Sequence, residues 1–424
     1  MKVLFIVISL SLALVVIRSF TYFQHIPKLS NGQHVKLQVV LQETPELSNR
    51  GQRFMVKNEV NQRIYIQTSL SELYQYGDTL AIEGQLQVNN SDDGRLFFNL
   101  YFPKIQVVEE TKNPLFTASS YVREKSFAIF EATLPPISAN LLLGIVFGAK
   151  GDFPDEFFEN LQTTGVLHVI AASGMNVSFF TGAVMFSLGR VVKRRLAIIL
   201  SVFAVIFYSF LVGFEPSILR ASIMAIIAFT ASFLGRQSLA LFALFLAGTG
   251  MVLWSPAFLF DVGFQLSFMA TLGILVIGRQ LDSLKIGEKL GFLKEDVKTT
   301  LSAQLGTLPI LLGTFGSVGV LSILVNVLIL WTIPILMLLG VLAVLGGLIF
   351  VPLGKLLLFL SLPFLLLFET VVAFFGSFHW NFTMEEFPWA LGVGYYLIIG
   401  ALLFYLNGIK KHESRIKETI IRDS

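Results

Sequence analysis

Gly165-Val-Leu-His-Val-Ile-Ala-Ala-Ser-Gly-Met-Asn-Val-Ser-Phe-Phe180 decides how this chain is read. The stretch is apolar enough to enter a bilayer, yet it carries His168, Ser173 and Asn176. A second string, Asp261-Val-Gly-Phe-Gln-Leu-Ser-Phe268, does the same with Asp261 and Gln265. A polar side chain in hydrocarbon costs on the order of a few kcal/mol unless it meets a partner or water. A segment that only anchored the chain would not carry such groups. Together they point to a shared polar interior, and with it to a transport path.

On one ideal helix His168 and Asn176 lie about 80° apart, with Ser173 about 60° beyond Asn176. That broad polar arc serves either to bind helices together or to line a path, and the residues leave both readings open. Ser173-Gly174 also permits close helix contact. Arg220 and Asp261 each fall just inside the outer end of an expected span, which predicts an ion pair between them. Gln265 follows Asp261 by one turn. Gln304 and Asn326 add polar groups elsewhere, and Gln304, Gly306 and Pro309 mark 300–314 as a broken helix. Glu369 is a lone acid in an apolar span.

Composition sets the frame around these strings. Of 424 residues, 54% are hydrophobic and 14% charged, and the mean hydropathy is +0.73. Apolar segments of about 20 residues, the length that crosses a bilayer, recur along the chain. The fold class expected is a polytopic α-helical membrane protein of about ten transmembrane helices, with an inserted exported β-barrel. The net charge of +3 says little about partners. The absence of cysteine excludes disulfides, thiolate metal sites and thiol chemistry.

Five regions follow. Residues 1–20 read as a retained N-terminal transmembrane anchor. Residues 30–113 alternate polar and apolar side chains between turn signals, as short strands of a small OB-like barrel do. Residues 118–163 read as an interfacial amphipathic and re-entrant segment. Residues 164–408 form the main helical domain, with spans at 165–189, 196–213, 217–235, 238–255, 258–278, 300–314, 318–346, 356–377 and 389–407. Pro334 is expected to kink the 318–346 span. Residues 409–424 form a basic tail. Basic residues cluster after 189, at Arg236, between 279 and 298, at Lys355 and in the tail, which places these loops and both termini in the cytoplasm. The barrel is then exported.

Several chemistries find no support. Ser173 precedes a glycine, but His168 faces elsewhere on the same helix, so no base stands ready for a nucleophile. Five scattered histidines and no cysteine give no zinc spacing. No Gly-x-x-x-x-Gly-Lys-[Ser/Thr] string is present. The expectation is a protein that is not an enzyme, with no metal and no cofactor. Residues 20–113 hold nine Lys/Arg against ten Asp/Glu, so the barrel has no strong electrostatic footprint for nucleic acid. Its aromatics beside arginines (Arg53 with Phe54, Arg63 with Tyr65, Arg95 with Phe97) either stack bases or form barrel core.

Ordered strings in this chain resemble the ComEC/Rec2 competence family over about residues 34–345. Leu141-Leu-Leu-Gly144 precedes Thr164-Gly-Val-Leu-His-Val-Ile-Ala-Ala-Ser-Gly174; Ser217-Ile-Leu-Arg-Ala-Ser-Ile-Met224 and Gly235-Arg236 follow, then Asp261 to Phe268, Ser302-Ala-Gln304, Pro309, Phe315-Gly316 and Asn326. The exported domain is similar to that family's OB-like domain. The resemblance implies a plasma (inner) membrane channel that passes single-stranded DNA into the bacterial cytoplasm during natural transformation. It implies as partners membrane lipid, a DNA receptor, a cytoplasmic helicase-type motor and a separate nuclease, and allows a homo-oligomer. His168, Ser173, Gly174, Asn176, Gln265, Gln304, Pro309 and Asn326 become candidate path residues. The chain departs from the pattern at Ser173-Gly-Met-Asn176, where Ser-Gly-Leu-His is usual. It also contains no His-x-His-x-Asp-His string, so it reads as a short form without the metallo-β-lactamase-like domain. A transporter for another polymer or a small solute, and an exported binding or scaffold module on a membrane anchor, are the alternatives.

Overall fold

A computed structural model describes residues 2–24, 29–41, 45–48, 51–58, 62–69, 74, 76–90, 96–109, 113–149, 151–170, 173–237, 239–283, 294–378, 380–384 and 387–423. Helix α1 (Lys2–Gln24) leads into a β domain made of β1 (His34–Val40), β2 (Glu46–Ser48), β3 (Gly51–Lys57), β4 (Arg63–Thr68), β5 (Thr79–Gln85), β6 (Gln87–Asn90), β7 (Leu96–Tyr101) and β8 (Lys104–Glu109). The helical domain follows: α2 (Pro114–Glu131), α3 (Pro136–Phe147), α4 (Asp155–Thr163), α5 (Leu167–Ile170), α6 (Gly174–Val191), α7 (Arg194–Val212), α8 (Pro216–Phe233) and α9 (Ala240–Trp254). After a 3₁₀ turn at Pro256–Phe260 come α10 (Val262–Ser283), α11 (Lys294–Phe315), the short strand β9 (Ser317–Gly319), α12 (Ser322–Ile329), α13 (Thr332–Ile349), α14 (Val351–Gly376), β10 (Asn381–Thr383) and α15 (Trp389–Asp423).

The β domain does not close into a barrel among the described residues. It forms a three-stranded sheet, β1-β5-β8, and a five-stranded sheet, β2-β3-β4-β7-β6. Leu86 alone separates β5 of one sheet from β6 of the other, so the chain passes straight from sheet to sheet. The inward residues of both sheets, among them Val35, Phe54, Ile64, Ile66, Leu80, Ile82 and Leu100, share one core. Period-two alternation leaves the other face of the larger sheet outward. There Arg53 pairs with Gln67, Met55 with Tyr65 and Lys57 with Arg63, and Tyr65 and Gln67 stand beside Asn99 and Tyr101.

Among the described residues, six helices are long and apolar enough to cross a bilayer: α7, α8, α13, α14, and the apolar parts of α10 and α15. The remaining expected spans differ for physical reasons. The span at 165–189 is divided, because the backbone at Ser173 is extended (φ −108°, ψ 157°). The 318–346 span is divided between α12 and α13 at Leu330 and Trp331, ahead of Pro334. Helix α9 holds only 15 residues. The expected break at 300–314 is not there: α11 runs continuously through Pro309. Proline cannot donate to the carbonyl four residues back. The hydroxyl of Tyr395 donates to that carbonyl, Leu305 O, at 2.9 Å instead.

Three features position the functional region. Helix α3 is short and buried on every side, with Leu141, Leu142, Ile145, Val146 and Phe147 at the centre of the bundle core. Helices α10 and α11 cross where glycines allow backbone contact: a Cβ on Gly306 would stand 2.6 Å from Met269 O. The β domain sits on the end of the bundle that holds the α7–α8 loop and the start of α10. Tyr76 Oη donates to Phe210 O at 2.7 Å, and Arg123 of α2 donates to Leu211 O at 2.7 Å while covering the Tyr76 ring. Burial pushes the Tyr76 phenol up to about 12, so it remains a donor. Arg63 reaches Asp261 at 3.7 Å.

Candidate functional site

The polar residues singled out in the sequence gather into two clusters. The first lies where α6, α8 and α10 meet. Asn176 is buried in the first turn of α6 and donates from Nδ2 to Ile145 O of α3 at 2.8 Å. Its Oδ1 accepts from Ser173 Oγ at 3.1 Å. Ser173 therefore gives α6 no side-chain cap. Beside it lies Arg220, only 8% exposed. Its Nε donates to Ser267 Oγ at 2.8 Å, and its Nη1 donates to Thr271 Oγ1 and lies 3.8 Å from the sulfur of Met224. Nη2 lies against Gly174, where a Cβ would collide with it.

The expected ion pair between Arg220 and Asp261 is not formed. Ser267 and Thr271 lie six and ten residues past Asp261 in the chain, roughly 9 and 15 Å along a helix axis. The guanidinium points inward along α10 and away from its end. Asp261 instead begins the helix: its Oδ1 accepts from Phe264 N at 3.0 Å, and its other oxygen faces Arg63 of the β domain. Gln265 Nε2 donates to Leu259 O at 2.7 Å and ties the 3₁₀ turn to α10.

The second cluster joins the turn at Gly165 to α11 and α12. His168 Nδ1 lies 3.0 Å from Gly165 O; a carbonyl only accepts, so Nδ1 carries the proton. The ring is solvent-accessible. Gly165 packs on Ser322, and Gln304 Nε2 donates to Ser322 Oγ at 2.7 Å. Asn326 lies one turn beyond Ser322 on the same face of α12. Gln304 Oε1, Asn326 Oδ1 and Ser302 Oγ are buried without a hydrogen-bond partner among the described residues. Pro309 belongs to neither cluster, since it packs against Gly392 of α15.

Sequence reasoning missed Ser267 and Thr271, although an i, i+4 hydroxyl pair in an apolar helix is a legible signal. It missed Ser322 and the Arg63–Asp261 pair, which no local pattern announces. Glu369 of α14 accepts from Ser138 Oγ of α3, away from both clusters. In the β domain, Phe54 is 5% exposed and packs edge-on against Tyr74, so it is core and offers no face to a base. Arg53, Arg63 and Tyr65 are exposed on the outer sheet face. Arg95 lies outside the described residues, as does the side chain of Phe97. No group of three or more His, Asp or Glu side chains that could hold a metal occurs among the described residues. An apolar crevice of about 490 Å³ lies between α1 and Leu259, lined by Val15, Phe20 and Phe23, remote in character from the polar clusters.

A helical membrane protein whose bundle carries internal polar clusters beneath a β domain is the class these features define. Residues 145–408 match the Competence protein family, and the chain belongs to that family. It is 28% identical over 313 residues to ComE operon protein 3 of Bacillus subtilis (strain 168), an alignment covering 72% of this chain and 39% of that protein. It is 29% identical over 252 residues to an uncharacterized protein of Aquifex aeolicus (strain VF5), covering 59% of this chain and 56% of that one. The chain thus spans about two fifths and just over half the lengths of these relatives. No solved structure matches.

Proposed function

We propose that this protein is a plasma-membrane component of DNA uptake in natural transformation, which passes single-stranded DNA through its helical domain into the cytoplasm. The observation that carries this reading is continuity. The outer sheet face bearing Arg53, Lys57, Arg63 and Tyr65 meets the bundle through Arg63 and Asp261, and α10 leads from there to the buried Arg220 cluster. Exposed aromatics and cations suit stacking and phosphate contact along a single strand. Family membership supports the setting in competence. Energy, strand selection and degradation fall to partners: a DNA receptor outside, a helicase-type motor within and a separate nuclease.

Deletion and complementation, with labelled DNA followed into the cytoplasm, tests this reading. Uptake should be lost in the deletion and restored by the intact chain. Normal uptake without the protein would discard it. A second reading, an exported binding module on a membrane anchor, draws on the apolar packing around α3. DNA that binds the β domain while its entry to the cytoplasm is unaffected by changes at Asn176 and Arg220 would favour that one.

A further inference from the structure

The geometry assigns a phosphodiester-binding station to Arg220 and the start of α6, about two to three helical turns in from the start of α10. This rests on the proposed reading for its cargo, but the station's chemistry stands on separate observations. Arg220 is buried, and no carboxylate lies within 4.0 Å of it among the described residues. Its Nε and Nη1 are held by the neutral hydroxyls of Ser267 and Thr271, which orient the guanidinium without neutralising it. Nη2 makes no hydrogen bond among the described residues and lies against Gly174, the first residue of α6.

That helix start adds to the deficit. A helix N-terminus carries a partial positive charge and free N–H groups. Ser173 would ordinarily cap it, but its hydroxyl is turned to Asn176 Oδ1, and α6 has no side-chain cap. A buried cation and an uncapped N-terminus therefore meet, with no carboxylate within 4.0 Å of the guanidinium among the described residues. Two like electrostatic features held together in a low-dielectric bundle are stabilised by an incoming negative group. Asp261, on the same side of the bundle, is already committed to Phe264 N and Arg63. A Cβ at Gly174 would collide with Nη2, so a larger residue there would displace the end of the Arg220 side chain. The free Nη2 can donate to one phosphate oxygen, and the guanidinium charge favours the anion.

A phosphodiester reaches this place either from single-stranded DNA or from a phospholipid headgroup, and two arms separate these sources. The full chain is placed in phosphatidylcholine nanodiscs, and binding of a fluorescent oligothymidylate is measured against salt. In parallel, discs containing phosphatidylglycerol are assayed for lipid retained by the protein. Wild type is compared with Arg220→Gln and with a Ser267→Ala/Thr271→Val variant, which keeps the charge and removes its tethers. Arg220→Gln should weaken oligonucleotide binding about tenfold and reduce the salt slope by about 0.7, the share of one single-strand phosphate. The tether variant should weaken it several-fold, and it decides the matter where Arg220→Gln fails to insert.

Oligonucleotide binding with unchanged affinity and salt slope in both variants overturns the station while leaving the DNA reading intact. Arg220-dependent retention of phosphatidylglycerol with no oligonucleotide binding upholds the phosphodiester site and overturns the DNA reading. Binding of neither probe overturns both.

Discussion

The two polar clusters of the bundle have opposite deficits. Around Arg220 there are donors and positive charge but no anion among the described residues to receive them. Around Gln304 and Asn326 there are buried amide oxygens with no donor among the described residues. An unpartnered buried polar group costs about 1–3 kcal/mol, so each cluster is held at an expense that the surrounding apolar packing offsets. The lesson is that the two clusters are not equivalent, although their residues read alike in the sequence as polar groups in oily helices. One suits the backbone of a nucleic acid. The other suits hydrogen-bond donors, such as water or base amino groups.

The largest effect is expected where both clusters share a support. Gly306→Leu forces α10 and α11 apart at their crossing, and α10 carries Ser267 and Thr271 while α11 carries Gln304. It should abolish folded protein in the membrane, measured by size-exclusion of a fluorescent fusion. Normal accumulation would show that the clusters are not held by that crossing.

Next come two substitutions of the same kind with opposite outcomes. Asn176→Leu strands Ile145 O and frees Ser173, so uptake of labelled DNA should fall at least about tenfold, a loss of about 1.4 kcal/mol, while the protein still inserts. Asn326→Leu removes an acceptor that has no partner. Its thermal stability in detergent should hold or rise by up to about 1 kcal/mol. A clear loss of stability would mean that Asn326 has a structural bond, and the contrast between clusters would fail.

Two smaller effects test whether the β domain bears on the Arg220 cluster alone. Tyr76→Phe removes the bond to Phe210 O and should loosen the domain contact by about 1 kcal/mol, read as faster amide exchange at the end of α7. With its phenol pushed up to about 12, the wild-type contact should be at full strength below pH 10, the ordinary tyrosine value, and lost as pH rises toward 12. Exchange around α12 should not change in either test. Asp261→Asn keeps an acceptor for Phe264 N and loses the half-exposed pair with Arg63. Its cost should stay below about 1 kcal/mol, and a larger loss would make that pair a principal fastening of the β domain.

By itself the sequence determined the membrane class, the inserted β domain and the family, because long apolar runs, period-two alternation and ordered polar strings are local properties of the chain. It also marked Asn176, Arg220, Asp261, Gln304 and Asn326 as residues needing partners. Which partner each takes was decided only by tertiary structure. The extended backbone at Ser173 placed His168 and Asn176 in different clusters, and α10 met α8 at a height that matched Arg220 with hydroxyls rather than with Asp261. Pro309 kept its helix whole because Tyr395, far along the chain, donated to the carbonyl it had freed. Hydrogen-bond partners depend on distances of an ångström or less between separate helices, and those distances are set by packing, which no single segment encodes.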